Sequence, residues 1–183
     1  MRLNLFSRAK RLREARGGAA AVEFAFIAPM VVLVFFGLIE LAEGTNCRQR
    51  MESVASTTAD LVAQASTITD AGRNNIFAAA SAIMYPYPNI AKIKFSSLVD
   101  DGTNTNKGKV VWSEATSNTT ARATNEVINN LPVGLITSGG SVIMVEVSYT
   151  YTSPIGKLLS NPVTMNTTFY SRPRRSVTVT RTS

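Results

Sequence analysis

The 183-residue chain contains no histidine and a single cysteine, Cys47. Without imidazole, neither a histidine-based nucleophilic triad nor a histidine-ligated metal site can be assembled within the chain, and one thiol cannot supply a cysteine-rich zinc site or an internal disulfide. The folded part must therefore be held by its apolar core, and Cys47 reads as a small buried side chain, with pairing to another chain as the alternative. Carboxylates beyond Gly44 are few and scattered: Glu52, Asp60, Asp70, Asp100, Asp101, Glu114, Glu126 and Glu146. Asp100 and Asp101 are adjacent, but they open a Gly/Asn/Thr-rich run through Gly108, the composition of a turn rather than of an acid dyad. No glycine-rich phosphate loop is present. These absences leave no catalytic residue, metal ligand set, cofactor or small-molecule substrate to expect.

What the chain has in quantity is one uninterrupted apolar run. From Ala19 to Ile39 the only charge is Glu23, and at 1.5 Å per helical residue that length reaches about 30 Å, the thickness of a bilayer core. Apolar side chains on every side of the helix and a one-sided basic flank fit a membrane span better than a buried helix of a soluble domain. Pro29 lies well inside it and should bend the helix around Ala25 to Pro29, which membrane helices tolerate. A carboxylate near the start of such a span is costly. Taken alone, Glu23 reads as an interfacial residue facing the positive end of the helix dipole.

The formal charge of +7 resembles a nucleic-acid signal until it is placed along the chain. Arg2, Arg8, Lys10, Arg11, Arg13 and Arg16 against Glu14 account for +5 before residue 19, and the remainder nets +2. A basic tail ahead of an apolar run keeps the N-terminus cytoplasmic and places the polypeptide after residue 42 outside. Nor is the span a removable secretory signal: it is too long, and Glu40-Leu41-Ala42-Glu43-Gly44 is no small-x-small cleavage site. The tyrosines Tyr85, Tyr87, Tyr149, Tyr151 and Tyr170 fit strand faces and core rather than a base-stacking surface, so no nucleic acid partner is expected.

Beyond Ile39 an apolar stripe continues through Cys47, Met51, Val54, Thr58, Leu61 and Ala65 at steps of four and three, one face of a helix. One long helix from about Ala19 to Ser66 results, spanning first and amphipathic afterwards, and Gly17-Gly18 should break any helix ahead of it. Thr69 or Asp70 caps a second helix through Met84, ended by Tyr85-Pro86-Tyr87-Pro88. The period then changes to two. Ala91, Ile93 and Phe95 alternate with Lys92, Lys94 and Ser96, the loop 100–108 turns the chain, and Val110-Val111-Trp112 returns. Ala121 to Asn130 reads as a short helix stopped by Pro132, and Gly139-Gly140 as a turn. Val142 to Thr152 and Val163 to Tyr170 alternate strongly, joined by Ser153 to Pro162. Val177 to Val179 reads as a last edge strand behind Arg172, Arg174 and Arg175. The fold class is α+β: a long N-terminal transmembrane and amphipathic helix packed on an antiparallel sheet.

Arg16-Gly17-Gly18-Ala19-Ala20-Ala21-Val22-Glu23-Phe24, followed by the apolar run to Glu40-Leu41, resembles the N-terminus of the TadE-like minor pilins, or pseudopilins, of tight-adherence (Tad/Flp, type IVb) pilus systems. The resemblance covers about a seventh of the chain and rests on order and spacing. It implies a pilin-like fold and cleavage by a membrane-embedded prepilin peptidase between Gly18 and Ala19. Residues 1–18 would then be a leader, 19–42 the transmembrane helix and 43–183 an extracytoplasmic α+β domain. Glu23 becomes the fifth mature residue, able to pair with the freed amine of Ala19 on its own or a neighbouring subunit. Phe24 stands where major Flp pilins have tyrosine, which fits a minor component. The implied protein is a non-enzymatic, single-pass subunit of the bacterial inner membrane, reaching pilus or cell surface on assembly. Its partners would be the membrane, the prepilin peptidase, other Tad pilins and the assembly platform, its roles pilus assembly, adhesion and biofilm formation. The alternative is a permanently anchored envelope accessory or binding module that is never processed.

Overall fold

Residues Arg16–Gln64 form a single α-helix, α1, in a computed structural model that describes residues 16–87, 91–103, 106–153 and 162–182. The basic stretch up to Ala15, expected above to belong to a leader, and most of the connection between Ser153 and Pro162 lie outside the described residues. The helix does not wait for Ala19. It begins at Arg16 and runs through Gly17 and Gly18, a correction to the expected break. A glycine costs only about 1 kcal/mol in a helix interior, and adding residues to an existing helix avoids the nucleation penalty. Pro29 lies inside the same helix.

The chain divides into two compact units, one ending at Glu43 and one running from Gly44 to Ser183. The first is apolar helix. In the second, the remaining turns of α1 bury Cys47, Met51, Val54, Ala55, Thr58, Ala59, Val62 and Ala63. The stripe starts as its spacing requires, then drifts: Val62 is buried while Leu61 stays 36% exposed, because steps of four and three average 3.5 residues against the helix's 3.6.

After α1 come the two-residue strand β1 (Thr67–Ile68) and helix α2 (Asp70–Ile83). Thr69 is its N-cap, its Oγ1 accepting a 3.1 Å hydrogen bond from the Gly72 amide, and Asp70 sits in the first turn against the positive helix end. The helix stops before Pro86, as the prolines require.

A five-stranded antiparallel sheet comes next, built from β2 (Lys92–Asp100), β3 (Gly108–Ala115), β4 (Val127–Ile128), β5 (Ser141–Tyr151) and β6 (Val163–Ser171) in the order β4-β3-β2-β5-β6. One face carries Ile93, Phe95, Ile143, Val145, Val147, Tyr149 and Tyr151 and shares a single apolar core with α1 and α2. Tyr87 packs edge-on against Tyr149 and Tyr151, with centroids 6.1 and 6.4 Å apart. The opposite face is covered over part of its area by a second core, in which Leu98, Val110, Val142 and Met144 meet Leu131, Leu135 and Ile136. This is why β5 is buried on both faces from Ser141 to Val145.

A β-bulge allots β3 between the two cores. Ser97 pairs with Trp112 but Leu98 pairs with Val110, so Val111 is the extra residue, and it is 44% exposed. The insertion turns Trp112 into the first core and Val110 into the second.

Two expected elements differ. Ala121 to Asn130 is not a helix: Asn125 and Asn130 are left-handed, at φ 69° and 61°, and the segment's backbone bonds to β3 through Asn125 N to Val110 O (2.8 Å) and Val110 N to Glu126 O (2.9 Å). Val127 and Ile128 then pair with Lys109 and Gly108 as the short strand β4. Val177 to Val179 is not a strand either. The final strand, β7 (Thr180–Arg181), pairs in parallel with β1, away from the main sheet. The C-terminal segment is drawn there by side chains. Trp112 Nε1 donates a buried 2.7 Å hydrogen bond to the Val179 carbonyl, Ser141 Oγ donates to the Val177 carbonyl at 2.7 Å, and Arg181 Nε meets Glu114 at 2.6 Å. Gly139-Gly140 does make the expected turn, with Gly139 at φ +74°.

Candidate assembly helix and processing site

Gly18, Ala19, Glu23 and Phe24 all lie on the first turns of α1 and are exposed. Ala19 and Glu23 are four residues apart, hence on one helix face and separated by about 6 Å along the axis. Glu23 has no ion-pair or hydrogen-bond partner among the described residues. A Cβ added to Gly18 would meet nothing within 4 Å, so packing within the chain does not account for glycine there.

The surface around Glu23 is apolar without interruption. Phe24 is 71% exposed and Phe26 76%, and Val22, Ile27, Met30, Leu33, Phe35 and Leu38 are open as well. Such a patch is far larger than a water-facing helix sustains and requires lipid or protein around it. The helix is long and apolar enough to cross a membrane, and it is compatible with a membrane anchor. A single carboxylate in this setting is the one group able to hold a cation there.

Elsewhere the polar residues hold structure. Asp101 accepts from the Thr103 amide and hydroxyl at 3.0 and 2.6 Å, and those bonds hold its carboxyl below the usual range. Asp100 accepts from the Gly102 amide at 3.2 Å, so both are turn residues. Tyr149 and Tyr151 are core. Cys47 is fully buried and its thiol is pushed up by that burial, which makes it unreactive. Among the described residues no group of three or more histidine, cysteine or acidic side chains is placed to hold a metal.

The principal polar cluster that sequence reading missed is built on Arg122. Its Nε and Nη2 each lie 2.7 Å from the two oxygens of Glu146, and its Nη1 lies 2.5 Å from Glu126. Burial alone would raise the Glu146 carboxyl, but hydrogen bonds and charge from Arg122, with Lys94, hold it below its ordinary value. The alternation of β5 did put Glu146 on the outward face. What it could not show was that residues 116–126 fold back over that face.

Comparison with known proteins gives a similarity to a protein family. Residues 18–60 match the family described as TadE-like protein, a stretch that takes in the whole apolar run and the amphipathic turns of α1 through Asp60. No curated protein and no solved structure matches the chain. The TadE-like family is generally non-enzymatic, and the match points to association with the membrane and with other pilus components. Over residues 18–60 the chain is thus similar to the TadE-like family, which is associated with Tad pilus systems.

Proposed function

We propose that the chain is a minor pilin or pseudopilin, cut between Gly18 and Ala19 by a prepilin peptidase and then assembled through α1 into a Tad pilus or its initiation complex. The observation that carries this reading is a fully exposed apolar helix with one carboxylate, one turn after a Gly-Ala bond, inside the segment that matches the TadE-like family. Cleavage would free an amine at Ala19. In apolar surroundings that ammonium and the Glu23 carboxylate are each costly alone and far less so together, within one helix or between neighbours. Phe24 and the open apolar surface would pack between subunits, and the unit from Gly44 onward would stand outside the membrane, serving pilus-dependent adhesion and biofilm formation.

The permanently anchored alternative draws on the continuity of α1 across the 18–19 bond, since a helical peptide bond must unwind before a peptidase reaches its carbonyl. The two adjacent glycines keep that unwinding inexpensive. Mass spectrometry of protein extracted from membranes of its native host separates the readings. Loss of residues 1–18, abolished by Gly18→Val, is expected, and Glu23→Ala should be cut normally yet assemble poorly. An intact N-terminus in peptidase-competent cells overturns processing, and normal pili from Glu23→Ala cells overturn the role given to the carboxylate.

A further inference from the structure

The second core covers only part of the outward sheet face, and the rest is lined by polar side chains. There, Lys92 pairs across β5 with Ser148, which pairs with Asn166, and Lys94 pairs with Glu146, which pairs with Thr168. These two rows floor a cleft of about 330 Å³, with Thr119 of the folded-back segment at one wall. β6, which carries Asn166 and Thr168, is the last strand of the sheet on that side.

Three features give the cleft a ligand preference. First, its acidic member is already occupied: both Glu146 oxygens are taken by Arg122. Lys92 and Lys94 have no carboxylate within ion-pair distance among the described residues, and the local balance is three cations (Lys92, Lys94, Arg122) against two carboxylates (Glu126, Glu146). Second, the side chains of Ser148, Asn166, Thr168 and Thr119 make no hydrogen bond within the described protein, so neutral donors and acceptors stand available beside the charges. Third, no apolar side chain is offered to a ligand: the one apolar lining residue, Val147, is 1% exposed and belongs to the first core. A peptide would find no anchor for an apolar side chain here. A hydroxyl-rich anion would find a partner for each kind of group it carries.

We propose that this cleft binds a carboxylate-bearing sugar within an acidic polysaccharide, with Lys92 and Lys94 meeting the carboxylate and Ser148, Asn166, Thr168 and Thr119 the ring hydroxyls. The two lysines stand two residues apart on one strand, about 6.8 Å, which suits one carboxylate approached from either side. The affinity is modest because the site is shallow and its charges are screened by salt.

The test is a titration of the full chain in zwitterionic detergent with a trigalacturonate, its fully methyl-esterified form and tripolyphosphate, followed by calorimetry. Saturable binding of the free acid with a Kd on the order of 1 mM is expected. The ester should bind at least tenfold more weakly, as should the free acid to Lys92→Gln/Lys94→Gln. Asn166→Ala should weaken the acid severalfold without changing the response to tripolyphosphate. Absence of saturation by the acid, or equal binding of acid and ester, overturns the proposal. So does tighter binding of tripolyphosphate that ignores Asn166→Ala, which would make the cleft a general polyanion site. Lys92→Gln alone, at an exposed position, serves as the variant certain to preserve the fold, checked by an unchanged unfolding transition.

Discussion

At the scale of single residues, Arg122 does the most with one side chain. It bridges two carboxylates from different segments, and both it and Glu146 have only 23% of their side-chain surface exposed. Truncating the arginine strands a largely buried carboxylate, so Arg122→Ala should destabilise the domain by about 1–3 kcal/mol, read as a shift in the urea midpoint at pH 7. The pH dependence has a definite sign. Because the folded Glu146 carboxyl is held below its ordinary value, its contribution to stability is fully present above about pH 4.3 and is lost as pH falls to and through the lowered folded value. Asp70, lowered by its hydrogen bond and charge interaction with Arg181, acts in the same sense. An acid titration of the unfolding midpoint should therefore slope more steeply below about pH 4.3 for the native chain than for Arg122→Ala, and identical slopes would count against the ion pair.

At the scale of elements, the bulge in β3 lets Val110 and Trp112, two residues apart, face opposite sides of the sheet, and leaves the exposed Val111 side chain replaceable. Val111→Thr should be within about 0.5 kcal/mol of neutral, as surface changes usually are. Deleting Val111 leaves Val110 next to Trp112, opposite Leu98 and Ser97, so ordinary alternation still sends each to its own core and the strand loses only its bulge. Circular dichroism melts should show a cooperative transition for the substitution and for the deletion alike, and a deletion without one would show that the fold needs the extra residue as well as the pairing. The bulge is not legible in the sequence, although Val110-Val111-Trp112 does read as the return strand: three consecutive apolar residues carry no period to say which one is extra. By contrast α1, α2, β2, β5 and β6 are legible, because each has a long repeat and a clear stop such as Thr69 or Pro86. The segment from Ala121 to Asn130 misleads for a related reason. Its helix-compatible residues are outweighed by bonds to β3 and by Arg122, whose partner Glu146 lies 24 positions away. The apolar run and its lone carboxylate are plain from residue types alone, whereas the polar cleft needs the pairing of three strands to appear.

At the scale of the whole molecule, the C-terminal segment closes the unit that runs from Gly44 onward. Val179 is 2% exposed, Trp112 depends on its carbonyl, and β7 completes a pair with β1. Removing residues 177–183 exposes the core side of Trp112 and leaves its indole N–H without an acceptor. Val179 burial contributes about 1.5–3 kcal/mol and the orphaned donor costs about 1–3 kcal/mol, so the truncated chain should lose on the order of 3 kcal/mol or more and gain tryptophan quenching by acrylamide. Unchanged quenching would show that the segment is dispensable to the fold. The same closure has a temporal side. Trp112 and its acceptor are 67 residues apart in sequence, and Arg181 reaches the Ile68 carbonyl across 113. Contacts of that span form slowly, and these partners do not exist together until synthesis has reached Arg181. Every newly made copy therefore passes through an interval with an uncovered indole and a bare strand beside Ile68, the moment at which a chaperone or a protease would most easily tell a folded chain from an incomplete one.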